Sequence, residues 1–159
     1  WHRQRGETAP ARRALQQAVT AAEASHSAFP LLQARIARAR LEGGRKLDEL
    51  RALQAEAETL GHRGLELQAA EALAEAALAG GRLADAEAAA RRGLEAVQDC
   101  GTWAGTFRLH LLLAQTLERR GLGGEAAGQR DRAAAELARL RRDIAPRQPD
   151  RLEAIAAAY

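Results

Sequence analysis

The chain has 159 residues, with 24 Lys plus Arg against 21 Asp plus Glu and a formal net charge of +3, a length that suits one domain or one array of repeats. Aromatics are 3% of the residues and methionine is absent, while alanine makes up about a quarter of the chain; strong helix formers dominate and a sheet protein is excluded. A single cysteine rules out an internal disulfide and a cysteine-based zinc site, and no apolar run reaches membrane-spanning length.

Lys46 is the only lysine, so 23 of the 24 Lys plus Arg are arginine. The pairs Arg12-Arg13, Arg91-Arg92, Arg119-Arg120 and Arg141-Arg142 are dispersed, each with acids in the same helical stretch. They read as solvated helix faces rather than as a nucleic-acid footprint.

Apolar residues at helical spacing predict helices at about 9–26, 30–42, 46–60, 64–79, 83–99, 103–120, 124–143 and 150–158. The first carries Leu15, Ala18, Val19 and Ala22. Pro30 opens the second, where its missing N–H does no harm. Leu47, Leu50, Ala57 and Leu60 make the stripe of the third; Leu83, Ala86, Ala90, Leu94 and Val97 that of the fifth; Leu109, Leu112, Leu113 and Leu117 that of the sixth. Asp150 with Glu153 forms a capping box for the last, after Pro146 and Pro149. The last helix has an apolar face of Leu152, Ile155 and Tyr159, suited to capping the one before it.

Glycines punctuate this pattern at a regular interval. Gly6, Gly44, Gly81 and Gly121 recur, with an acid four residues after the last three (Asp48, Asp85 and Glu125). An alanine stands seven residues before each of these three: Ala37, Ala74 and Ala114. Small residues follow at offsets five and twelve: Ala11 and Ala18, Ala86 and Gly93, Ala126 and Ala133. Gly61 and Gly101 interleave, each 20 residues before the next marker. The unit is therefore helix, glycine turn, helix, glycine turn, with glycine supplying the left-handed residue that ends a helix.

These residues resemble the tetratricopeptide repeat, over roughly residues 6–143. The most specific elements are Leu73, Ala74, Gly81, Ala86 and Leu94, then Leu113, Ala114, Leu117, Gly121, Ala126 and Ala133. The family keeps such positions small because helices cross closely there. The repeats here are longer than the family's roughly 34 residues, the usual aromatics are replaced by Ala and Leu, and Glu49 and Glu56 stand where alanines are expected. The first two departures resemble the Ala- and Leu-rich arrays of large bacterial regulatory proteins, where an array follows a kinase, ATPase or DNA-binding module.

The resemblance implies an all-α fold, a right-handed α-α superhelix of antiparallel helix pairs with about 7–8 helices. We expect one repeat domain over 1–159: a half repeat at 1–28, repeats at about 29–62, 63–102 and 103–144, and a capping helix at 149–159. Trp1 to Arg5 would finish a helix whose body is missing, making the chain a piece of a longer array. The flank bared by that loss offers a surface for self-association. With no leader pattern at its start, the chain is expected to be cytoplasmic.

No constellation for catalysis stands out. His2, His26, His62 and His110 fall in four segments without metal-ligand spacing. Cys100 sits at a helix C-terminus, which disfavours a thiolate. Gly121-Leu122-Gly123-Gly124-Glu125 lacks the preceding strand and following lysine of a phosphate loop. A non-enzymatic protein with no cofactor and no metal is expected. The resemblance implies instead a concave face lined by the first helix of each pair, placing Arg38, Gln68, Glu71, Glu75, Arg108, Leu111, Gln115, Glu118 and Arg119 there, together with Leu41, Glu42, Leu78 and Ala79; the alternative is that these charges pair with each other across the groove. This lining suits a peptide with an apolar anchor and flanking charges. The expected function is protein–protein interaction or scaffolding. The alternative is a ligand-sensing segment of a bacterial signalling or transcription-regulatory protein; nucleic acid is a weaker third candidate.

Overall fold

The computed structural model describes residues 8–98 and 105–144. These are helical: α1 (Thr8–Ala24), α2 (Ala28–Glu42), α3 (Leu47–Thr59), α4 (Arg63–Ala79), α5 (Leu83–Ala96), α6 (Thr106–Arg119) and α7 (Gly123–Ile144), with a 3-10 turn at Gly43–Lys46 between α2 and α3. The chain is all-α, and consecutive helices pack antiparallel. The element expected at 150–158, Cys100 and Gly101 lie outside the described residues.

Helix ends follow local chemistry. Pro30 stands in the first turn of α2, where no intrahelical N–H is lost. Asp48 and Glu49 open α3, opposing the positive end of the helix dipole. At the far ends of α3, α4 and α6 the residue after a left-handed glycine donates back five residues: His62 N to Ala57 O at 3.4 Å, Arg82 N to Ala77 O at 2.9 Å, and Leu122 N to Leu117 O at 2.9 Å. This bond satisfies a carbonyl that the helix end would otherwise leave open. His26 ends α1 at φ +50° without being glycine. His62 is the N-cap of α4, its Nδ1 accepting from the Leu65 N–H at 3.2 Å.

The repeat register needs one correction. The left-handed glycine after α2 is Gly43, at φ +60°, not Gly44, which lies inside the 3-10 turn. The equivalent glycines are therefore Gly43, Gly81 and Gly121. Seven residues before them stand Ile36, Ala74 and Ala114, all buried; Ala37 is only half-buried. The turn also adds two residues before α3, which starts four after its glycine where α5 and α7 start two after theirs. The small-residue positions in α3 thus fall on Leu50 and Ala57, both fully buried, rather than on Glu49 and Glu56. Glu49 instead pairs with Arg38 and Lys46, and Glu56 with Arg35. The apparent departure from the repeat pattern at those two acids comes from the insertion. In α1, Val19 and Ala22 are buried but Ala18 is exposed.

One apolar core runs along the molecule, through Leu32, Leu50, Leu53, Leu65, Leu73, Leu109, Leu113 and Leu117. α4 is its axis, packing against α2, α3, α5 and α6. Only Gln68, Glu75, Ala79 and Arg63 along α4 escape burial, and its many alanines let four neighbours come close. A smaller cluster of Phe107, Leu111, Ala133 and Leu140 fastens α7 to α6. At Gly93 in α5, an added Cβ would stand 2.6 Å from Ala70 Cβ and 2.7 Å from Leu109 Cδ1, so α5 crosses α4 and α6 at backbone distance.

Packing is unequal on the two sides. The even helices touch one another, α2 with α4 and α4 with α6. Among the described residues the odd helices α3, α5 and α7 make no such backbone approach to each other; long side chains span the gap. Arg51 reaches Asp85 at 3.0 Å, Arg92 reaches Glu58 at 2.7 Å and Arg91 reaches Glu125 at 3.8 Å.

Candidate interaction groove

The even helices expose a continuous groove of about 1240 Å³. α2 contributes Ala37, Arg40 and Leu41; α4 contributes Ala72, Glu75, Leu78 and Ala79; α6 contributes Arg108, Leu112, Gln115, Glu118 and Arg119. Successive members on each helix stand three or four residues apart, or adjoin at the end of a turn, which keeps them on one face. Leu15 of α1 closes one end.

A four-residue ionic lattice ties the three helices together beneath this surface. Glu71, whose side chain is 5% exposed, accepts from Arg40 of α2 at 2.7 Å and from Arg108 of α6 at 2.9 Å. Glu75 accepts from Arg40 at 2.7 Å and from Arg108 at 3.1 Å. Two carboxylates meet two guanidiniums, so the lattice is neutral. Burial pushes the Glu71 carboxyl above its ordinary value, with Glu75 adding to the rise, against the pull of Arg40 and Arg108. Burial alone would lower Arg40, but Glu71 and Glu75 outweigh it and raise it. Such a lattice adds little net stability, because desolvation offsets attraction; losing one member strands a buried charge and is costly. Its contribution is positional, locking the relative placement of α2, α4 and α6.

Of the residues expected on the concave face, Glu75, Arg108, Gln115, Glu118 and Arg119 line the groove, as do Leu41, Leu78 and Ala79. Glu71 lies in the lattice with Arg40 and Arg108. The other three point elsewhere, and Glu42 pairs with Lys46 at 3.7 Å rather than lining the groove. Arg38 bonds Glu49 of α3 at 3.1 Å and Gln16 of α1 at 3.4 Å. Leu111 packs with Phe107, Ala133 and Leu140 on the α7 side. Gln68 is exposed and does not line the groove. Arg38 was displaced by the register: counting from Gly44 rather than Gly43 rotates every α2 position by one residue, about 100°. The same shift hid Arg40. Arg119 donates from Nη1 to the Leu78 carbonyl at 2.6 Å, capping the last turn of α4, and Glu118 pairs with Arg130 of α7.

His110 shares a hydrogen bond of 2.8 Å with the buried Gln129 of α7, in a cleft between α5, α6 and α7. Among the described residues no group of three or more His, Cys, Asp and Glu side chains could hold a metal ion, and no helix is long and apolar enough to cross a membrane. No family model, curated protein or solved structure matches the chain.

Proposed function

We propose that the chain is a tetratricopeptide-like array, a right-handed superhelix of the pairs α2–α3, α4–α5 and α6–α7 with α1 as a half repeat. It acts without catalysis, as a protein-interaction module in the cytoplasm, within a larger regulatory protein. Its partner is a peptide or domain that places an apolar anchor among Leu41, Leu78 and Leu112, with polar flanks meeting Gln115 and Glu118. Three features support the repeat reading: left-handed glycines at Gly43, Gly81 and Gly121, small or core residues at the third residue past each odd-helix start (Leu50, Ala86 and Ala126), and contacts between even helices alone.

The observation that carries the functional reading is the groove itself. It spans three helices, it sets Leu41, Leu78 and Leu112 among polar side chains, and Arg40, Glu75 and Arg108 in its lining are paired within the lattice, so a ligand need not displace a stranded ion to enter. The test is selection from a random twelve-residue peptide library. We expect enriched peptides with one large apolar residue flanked by polar residues. Ala79 is exposed and lines the groove, so Ala79→Trp fills it without touching the core. Leu41→Glu, at a half-buried position, removes part of the anchor site. Both should abolish binding while circular dichroism stays helical. No enrichment, or peptides that bind both variants as well as the parent, refutes the reading.

A further inference from the structure

A second cleft, of about 230 Å³ and sharing no residue with the groove, lies between α3 and α5 over the start of α4. Six polar side chains line it: Gln54, Glu58, Arg63, Glu66, Arg92 and Glu95. Three carboxylates against two guanidiniums leave one excess negative charge. Both guanidiniums are already engaged. Arg92 forks onto Glu58, Nε to Oε1 at 2.7 Å and Nη2 to Oε2 at 2.8 Å. Arg63 Nη1 donates to Glu66 Oε2 at 3.0 Å.

The acceptors that remain are unusual. Glu66 is 3% exposed, and its Oε1 is the buried side-chain polar atom that has no hydrogen-bond partner among the described residues. Gln54, 6% exposed, likewise bonds to none of the described residues. Glu95, on the exposed rim, makes no ion pair with any of them. A buried carboxylate oxygen left unpaired is a standing cost that folded proteins rarely keep. Here three unengaged acceptors, from α3, α4 and α5, converge on a space large enough for several waters but below the size of an ordinary small-molecule pocket.

We propose that this cleft binds a guanidinium group, presented either by a small free molecule or by an arginine side chain of a partner polypeptide. The group carries five donors in a plane. It can satisfy Glu66 Oε1, the Gln54 carbonyl and Glu95 together, and its positive charge cancels the excess negative one. A metal ion fits less well, because the only carboxylate oxygen that is both buried and free is a single one. This site is independent of the peptide groove, and its test does not depend on groove binding.

The experiment is a nuclear magnetic resonance titration of the full chain with ethylguanidinium, following the Gln54 side-chain amide and the backbone around Glu66. We expect saturable shifts confined to this cleft with a dissociation constant on the order of 1 mM, weakened at least tenfold in Glu66→Gln. Glu95→Gln, at an exposed position where folding is not in question, should weaken binding several-fold. A ten-residue peptide with one internal arginine separates the two sources: tighter binding than ethylguanidinium assigns the site to a polypeptide, equal or weaker binding to a free small molecule. Absence of shifts at 50-fold the expected dissociation constant overturns the proposal. So does an equal response to ethylammonium or sodium chloride, or unchanged affinity in both variants.

Discussion

Gly93 offers the sharpest test of the packing. A Cβ there would lie 2.6 Å from Ala70 Cβ and 2.7 Å from Leu109 Cδ1, about 1 Å inside the optimal separation of carbon atoms. Leu109 can shift its methyl group, but Ala70 Cβ is fixed to the α4 backbone, so α5 must move away from α4. Overpacking of this kind costs roughly 1–3 kcal/mol, and the rigid neighbour puts it at the upper end. Replacing glycine by alanine inside a helix returns about 1 kcal/mol through propensity. Gly93→Ala should therefore destabilise by about 1–2 kcal/mol. Gly128 in α7 is the matched control, since nothing stands within 4 Å of its added Cβ. Gly128→Ala should stabilise by up to about 1 kcal/mol. Urea unfolding followed by helical circular dichroism reads both, and the same substitution must give opposite signs. A Gly93→Ala protein as stable as Gly128→Ala would refute the close crossing of α5 over α4 and α6.

Ala114 is buried at 1% exposure in α6, so Ala114→Leu should cost roughly 1–3 kcal/mol in the same assay; a neutral result there and at Ala74 would mean the helix crossings lie elsewhere. Arg119→Ala removes the 2.6 Å bond to the last turn of α4 and should cost about 1 kcal/mol, seen as faster amide exchange at Gly81 and Arg82; unchanged exchange counts against the cap. The raised Glu71 carboxyl has a pH signature, because the folded chain holds its proton to higher pH than the unfolded chain does. Its contribution is fully present below the ordinary value of 4.5 and is lost as pH rises through the folded value. The stability of the parent minus that of Glu71→Gln should thus fall as pH rises across that window, and a flat or rising difference would exclude the assignment.

Much of the architecture was legible because helix periodicity, glycine turns and small residues at crossings are local signals. Leu83, Ala86 and Ala90 announce the buried face of α5 within eight residues, and Gly81 and Gly121 each end a helix where they stand. The repeat register failed where two glycines adjoin, and the apolar stripes overreached at Ala18 and Leu60, both exposed. Either Gly43 or Gly44 can take a left-handed conformation, and the interval to Gly81 changes by only one residue between them. What decides is the 3-10 turn at Gly43–Lys46, which carries two extra residues into the linker and packs on α4. That contact is tertiary, so the repeat interval alone could not locate it. The one-residue step moved the expected groove face of α2 from Ala37 and Arg40 to Arg38 and Leu41, and together with the two inserted residues it put Glu49 and Glu56 where Leu50 and Ala57 belong.

The groove was legible in a coarser way, for a different reason. Helical spacing can say that Glu71 and Glu75 share a face, since they lie one turn apart. It cannot say which cations answer them, because Arg40 stands 31 residues from Glu71 and Arg108 stands 33 from Glu75. Those pairings exist only once α2, α4 and α6 lie side by side. Their consequence decides between offering these charges to a partner and pairing them across the groove. Charges expected to be offered to a partner are spent on each other: Glu71 is nearly inaccessible, Arg40 and Arg108 each hold both acids, and Arg119 is turned onto a carbonyl. The groups left to meet a ligand are Leu41, Leu78, Leu112 and the exposed Gln115 and Glu118, the last also paired with Arg130. On the proposed reading a partner would be selected mainly by shape and apolar contact with these leucines, and its binding should depend only weakly on salt, since screening acts on free surface charges far more than on this partly buried, neutral lattice.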